Sequence, residues 1–127
     1  MNLPFISILI MGILPIVCAG IAKFGGNNDF KTKENRNPRE FLAKLSGWRQ
    51  RANAAQANSF EALPLYTAAV LVAAYNHANQ ACISSICATV VILRIIYIYL
   101  YITDKPTLRS IVWGVAFIMT ASMFFIH

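Results

Sequence analysis

Four long apolar runs, separated by short polar or glycine-containing breaks, constrain this chain more than any other feature. Each is near or above the roughly 20 residues that an α-helix needs to cross the hydrocarbon of a bilayer. Inside lipid every backbone amide and carbonyl needs a partner from the chain itself, so runs of this kind cross as helices. The first run is Leu3 to Phe24, and Gly25-Gly26-Asn27-Asn28 breaks it. It lacks a basic leading segment, which argues for a retained helix rather than a signal peptide. Pro4 is tolerated near its start, and Pro15 is expected to kink it.

The second run extends from near Trp48 to about Tyr75 and is longer than a bilayer requires. Its first turns, rich in Asn and Gln, are expected to project from the membrane or to line a cavity. Pro64 should weaken it locally, because proline has no N–H for the carbonyl of Phe60. Asn76 to Gln80 is a turn without Lys or Arg. The third run covers Ala81 to about Ile102. Thr103-Asp104-Lys105-Pro106 is a tight loop, with Pro106 placed to open a helix. The fourth run is Thr107 to Phe125. The expected fold is all-α: one four-span domain over residues 1–127, an integral membrane up-down bundle of four helices.

Composition supports a membrane protein. Of 127 residues, 57% are hydrophobic and 13% charged, too little polar surface for an ordinary soluble domain. The net charge of +6 is unevenly spread: eight of eleven basic residues lie between Lys23 and Arg51. Lys105 and Arg109 flank the third loop, and only Arg94 falls within an apolar run. Basic residues placed this way follow topology rather than nucleic-acid binding, and they assign the first and third loops to the cytoplasm. The loop from Asp29 to Gly47, with Asn37-Pro38, has room for short amphipathic structure. Cys18, Cys82 and Cys87 show no metal-ligand or disulfide spacing. No metal site is expected, and the thiols read as buried spectators.

Against this apolar background the polar residues stand out. An ionisable group at bilayer depth costs about 2.5–3.5 kcal/mol on insertion scales, so such groups face a bundle interior and mark a site. Arg51, Asn58 and Glu61 are spaced by seven and three, which puts them on one helix face. Arg94, Tyr97 and Tyr101, spaced by three and four, form a second stripe, and Arg109-Ser110 opens the fourth run. The arginines suit carboxylates or a thiolate, Glu61 suits an ammonium group, and the tyrosines donate or accept. An anion-rich small molecule carrying an amine matches the set. A purely structural alternative pairs Glu61 with Arg94 across helices. Arg51, Lys105 and Arg109 also read as topology anchors, Asn58 as a helix–helix hydrogen-bonding residue, and Tyr99 as part of an interfacial aromatic belt.

At these residues the chain resembles the MAPEG family, membrane-associated proteins in eicosanoid and glutathione metabolism. The second run carries the pattern most clearly, in Ala55-Gln56-Ala57-Asn58-Ser59-Phe60-Glu61 followed by Pro64-Leu65-Tyr66. Arg94, Tyr97, Tyr101 and Arg109-Ser110 continue it, and Asn35-Arg36-Asn37-Pro38-Arg39 looks like bacterial members. The resemblance spans essentially the whole chain. It implies a homotrimer in a bacterial inner membrane, with glutathione as co-substrate bound between neighbouring subunits. By similarity, Arg51, Gln56, Asn58, Glu61, Arg94, Tyr97, Tyr101 and Ser110 would contact glutathione, and Arg109 would be catalytic by stabilising its thiolate.

The resemblance implies a glutathione transferase or peroxidase acting on apolar electrophiles or hydroperoxides. Two departures bear on that reading. Many catalytic relatives carry a second arginine where this chain has Ala54, and leukotriene-forming members carry a tyrosine where it has Ala62. The loop before Arg109 is also one residue longer than in those members. Ala54 and Ala62 suit an alternative: a non-catalytic protein of the same fold that binds a lipid or small anion, or scaffolds a partner. A small transporter fits less well, since neither paired interrupted spans nor internal symmetry is present.

Overall fold

The computed structural model describes residues 2–26 and 30–127. The Asn27-Asn28 part of the first break and the loop's first residue, Asp29, lie outside the described residues. Helix α1 covers Leu3–Phe24 and carries Pro15 within it. A 3₁₀ turn, Glu34–Arg36, leads into the short helix α2, Pro38–Ala43. Helix α3 covers Gly47–Tyr75, α4 covers Gln80–Ile102 and α5 covers Pro106–Ser122, followed by a 3₁₀ turn at Met123–Phe125. Four of these segments are long and apolar enough to cross a membrane: α1, α3, α4, and α5 with its closing turn. The protein is an all-helical integral membrane protein, with no strand among the described residues.

The short polar sequences set the helix boundaries. Pro106 sits in the first turn of α5, where its missing N–H is no loss. Asn79 opens α4 by accepting the Cys82 amide through its side chain (3.0 Å). The turn before it places His77 in the left-handed region, with φ 54°. Inside the basic loop, Asn37 caps α2 through its Oδ1, which accepts the Glu40 amide (3.2 Å), while Pro38 occupies the first turn. The amphipathic structure allowed for there is thus a real helix. Leu42 fixes it by packing against Ala22 of α1 and Ala52 of α3.

Contacts between helix ends define the topology. From the start of α3, Arg49 donates to the α1 carbonyls of Ala22 (2.8 Å) and Lys23 (2.9 Å). Two residues on, Arg51 points to roughly the opposite side of the helix, and its Nε donates to the Ile102 carbonyl at the end of α4 (3.1 Å). At the opposite end, Gln80 Nε2 donates to Asn2 Oδ1 (2.7 Å). Helices α1 and α4 therefore run parallel, with α3 antiparallel to both. The basic loop, the start of α3, the end of α4 and the start of α5 share one end. Both arginines place positive charge where unpaired carbonyls concentrate negative potential.

Small residues allow close packing. The buried stripe of α3 is Ala52, Ala55, Ser59, Ala69 and Ala73, interrupted by Tyr66 and Val70. The main core joins Tyr66 and Val70 to Met11, Cys87, Val90 and Met123. Ser7 Oγ donates to the Pro4 carbonyl (2.6 Å), so Tyr66 Oη, 2.5 Å from Ser7, must donate to it. Cys18 and Cys87 are buried, whereas Cys82 is exposed in the first turn of α4 and differs from the buried-thiol expectation. Helix α5 buries little more than Ala116 and Thr120, leaving Ile111, Trp113, Phe117 and Ile118 exposed on a single chain.

Gly25 is where backbone and ring approach most closely. A Cβ there would lie 2.5 Å from both the Ile21 carbonyl oxygen and the Trp48 ring. Gly25→Ala is expected to lower stability by about 1–3 kcal/mol, as overpacking does. Denaturant titration in detergent micelles measures this, and an unchanged midpoint would contradict it.

Candidate functional site

The site begins with a buried cation. Arg94 on α4 is 3% exposed and points at α3. Its Nη2 donates to Asn58 Oδ1 (2.8 Å) and lies 3.4 Å from Ser59 Oγ. Ser59 Oγ donates in turn to the Ala55 carbonyl (2.8 Å), which leaves its lone pairs to face the guanidinium. Arg94 Nε is buried without a hydrogen-bond partner among the described residues. No carboxylate pairs with Arg94 among the described residues.

The Glu61–Arg94 pairing considered from the sequence is therefore not formed. The guanidinium turns toward the α3 turn that carries Asn58 and Ser59, where an amide and a hydroxyl receive it. Glu61, one turn further along α3, is exposed on the single chain and makes no ion pair among the described residues. At about 1.5 Å per residue α3 is about 43 Å long, against about 30 Å of hydrocarbon. Glu61 lies about 20 Å along it, near the helix midpoint.

From Arg94 the side chains alternate between cation and ring. Arg94 Cζ sits 4.3 Å from the Tyr97 ring centroid. The Tyr97 and Tyr101 rings meet edge to face at 5.8 Å, and Arg109 Cζ lies 4.3 Å over Tyr101. Each cation–π contact is worth about 0.5–2 kcal/mol, more where water is excluded. The ladder runs along the i, i+3, i+4 face of α4 and ends on the first turn of α5.

Two adjoining cavities open beside this ladder. One, of about 210 Å³, is lined by Asn58, Tyr97, Tyr101, Arg109, Ser110 and Trp113. The other, of about 160 Å³, takes in Asn58, Glu61, Arg94, Leu65, Trp113 and Phe117. Asn58 and Trp113 form the shared wall. The first is half polar and lies toward the basic end; the second is mostly apolar and borders the exposed face of α5.

The fold thus brings Asn58, Glu61, Arg94, Tyr97, Tyr101, Arg109 and Ser110 to one place on three helices. Arg51 and Gln56 line neither cavity, and Arg51 is bonded to Ile102 instead. Trp113 and Ser59 were not singled out from the sequence. Trp113 follows Arg109 by four and Ser110 by three, so helical spacing already put it on the site face. Ser59 lies within the Ala55–Glu61 stretch, but only the approach of Arg94 gives it a role.

A family model for the MAPEG family matches residues 3–127. The chain belongs to the MAPEG family. This family includes glutathione-dependent transferases and peroxidases. Neither the curated proteins nor the solved structures provide a match to this MAPEG protein. The match covers all four spans and every residue of the two cavities.

Removing the two partners of the central contact should have opposite effects on stability. Asn58→Ala deprives a buried guanidinium of its best acceptor and is expected to cost about 1–3 kcal/mol. Arg94→Met replaces an uncompensated charge with an apolar chain of similar reach, and is expected to be neutral or stabilising without ligand. Thermal unfolding followed by Trp fluorescence in detergent reads both. A strongly destabilised Arg94→Met protein would show that the cation is needed for the fold itself.

Proposed function

We propose that this MAPEG protein is a homotrimeric glutathione-dependent transferase or peroxidase acting on apolar electrophiles or hydroperoxides from the bilayer. The supporting observation is Arg94: a buried cation with no carboxylate partner among the described residues, beside an unpaired Glu61 and the cation Arg109. An uncompensated buried charge costs several kcal/mol, so a ligand of opposite charge gains by supplying the missing partner. Glutathione has two carboxylates for arginines, one ammonium for Glu61 and one thiol for Arg109. Tyr97, Tyr101, Asn58 and Ser110 would complete its hydrogen bonds.

Several features support a site completed by a neighbouring subunit. Each cavity on one chain is smaller than the roughly 300–1,000 Å³ common for small-molecule pockets. Glu61 is exposed at bilayer depth, and α5 leaves an apolar face uncovered. In the trimer Arg51 and Gln56, apart from the cavities of their own chain, would reach glutathione across the subunit boundary. The excess of basic residues at one end supports a bacterial inner-membrane orientation with the first and third loops in the cytoplasm, the side that supplies glutathione.

In this reading Arg109 lowers the thiol pKa from its ordinary value near 8.5, raising the thiolate fraction at neutral pH. The thiolate sulfur attacks an electrophilic carbon and expels the leaving group with its electron pair. With a hydroperoxide, the sulfur attacks the terminal oxygen, the O–O bond breaks and the alcohol leaves. A second glutathione then displaces water from the sulfenic acid to give the disulfide. The apolar cavity beside Leu65, Trp113 and Phe117 would seat the second substrate.

The non-catalytic reading, favoured by Ala54 and Ala62, is separated from this one by a single experiment. Purified protein is mixed with glutathione, and thiolate ultraviolet absorbance and turnover on an electrophile and hydroperoxide panel are recorded, with Arg109→Ala alongside. The expected result is a thiolate signal in the wild type, with activity falling about a hundredfold in the variant. No thiolate signal and no turnover contradict the catalytic reading, and absence of glutathione binding as well supports the non-catalytic protein that binds a lipid or small anion or scaffolds a partner.

A further inference from the structure

The loop between α1 and α3 is built as a platform, and the catalytic reading does not use it. Leu42 holds α2 on the bundle end against Ala22 and Ala52. Phe24, Phe30 and Phe41 stack edge to face at 5.5 and 4.9 Å, with the Lys23 ammonium 4.9 Å over Phe30. Phe24 stays 58% exposed, and Trp48 lies half-exposed beside it. Aromatic rings at the end of a span belong at the level of the lipid head groups.

Over this aromatic layer lies a cavity of about 580 Å³ between the 3₁₀ turn and α2. Lys33, Arg36 and Lys44 supply cations to its wall, Glu34 and Glu40 supply carboxylates, and Phe41 and Leu45 form its apolar side. Glu40 is already engaged by Lys44 (3.0 Å) and by the Asn37 side chain (3.3 Å). Lys33 and Arg36 are exposed and have no side-chain partner among the described residues. Glu34 has the opposite problem: its Oε2 is buried and meets no donor among the described residues. The cavity therefore offers two cations without a side-chain partner among the described residues, and the Glu34 carboxylate lies in the same wall.

We propose that this cavity binds the head group of an anionic phospholipid of the phosphatidylglycerol type from the surrounding bilayer. The phosphodiester would face Lys33 and Arg36, and a glycerol hydroxyl would donate to Glu34. The acyl chains would leave past Phe41 and Leu45 along the aromatic layer. Charge selects the lipid class: in the cavity wall Lys33, Arg36 and Lys44 outnumber Glu34 and Glu40, so the site favours a net-negative head group. The site lies at the membrane surface, separate from both cavities beside Arg94, and does not depend on glutathione use.

Native mass spectrometry of the full chain, released from vesicles of phosphatidylglycerol, phosphatidylethanolamine or phosphatidylcholine, tests this. The expected result is retained phosphatidylglycerol over the other two lipids, falling about 25-fold in Lys33→Gln/Arg36→Gln, since each basic residue at an anionic surface contributes about fivefold. Arg39→Gln, exposed and outside the cavity, should retain the lipid, and circular dichroism should show unchanged helix in both proteins. Equal retention of all three lipids overturns the proposal, as does equal loss in Arg39→Gln, which would mark a diffuse charge effect. Displacement of the lipid by millimolar free glycerol phosphate would overturn the membrane source in favour of a soluble phosphate ester.

Discussion

A guanidinium with no carboxylate partner among the described residues, enclosed in a membrane bundle, is the constraint around which the site is arranged. Arg94 is tolerated there because three neutral groups face it: the Asn58 amide oxygen, the Ser59 hydroxyl and the Tyr97 ring. These contacts spread the charge without neutralising it. The same contacts tie α4 to α3, while Tyr101 passes the contact on to Arg109 and α5. An interhelical contact and a ligand preference thus share one side chain. Neutral partners keep the cation in place, and the missing negative charge leaves something for a ligand to supply.

The basic end of the bundle uses its cations differently. Arg49 and Arg51, two residues apart near the start of α3, donate to carbonyls at the ends of α1 and α4. Positive charge that the sequence presents as a topology signal is here also helix capping. Further out, the exposed cations of the loop rest on an aromatic layer and have few acids to meet. One stretch of sequence therefore serves orientation, helix termination and a surface suited to anionic head groups.

Much of the fold was legible because it rests on local chemistry. The apolar runs give the spans, and Leu3–Phe24 is reproduced as a helix with the same ends. Pro106 opens α5 as its place in the loop suggested. Helix α2 was less legible, because Asn37 shows a cap but only Leu42 docking on two other helices makes six residues worth ordering. At the site, spacing grouped Arg94 with its tyrosines and Asn58 with Glu61. It could not say which α3 residue Arg94 would meet, since that depends on the axial offset between two helices. The same limit hid the engagement of Arg51 with Ile102, a backbone target with no sequence signature.

The central claim is that the uncompensated charges of this bundle select glutathione by its own charges. Isothermal titration of the detergent-purified protein with glutathione and with its diethyl ester, whose carboxylates are blocked, tests it most directly. Saturable binding of glutathione, with the ester binding far more weakly, is the predicted result. Equal heats for the two ligands, or none for glutathione, would contradict the account.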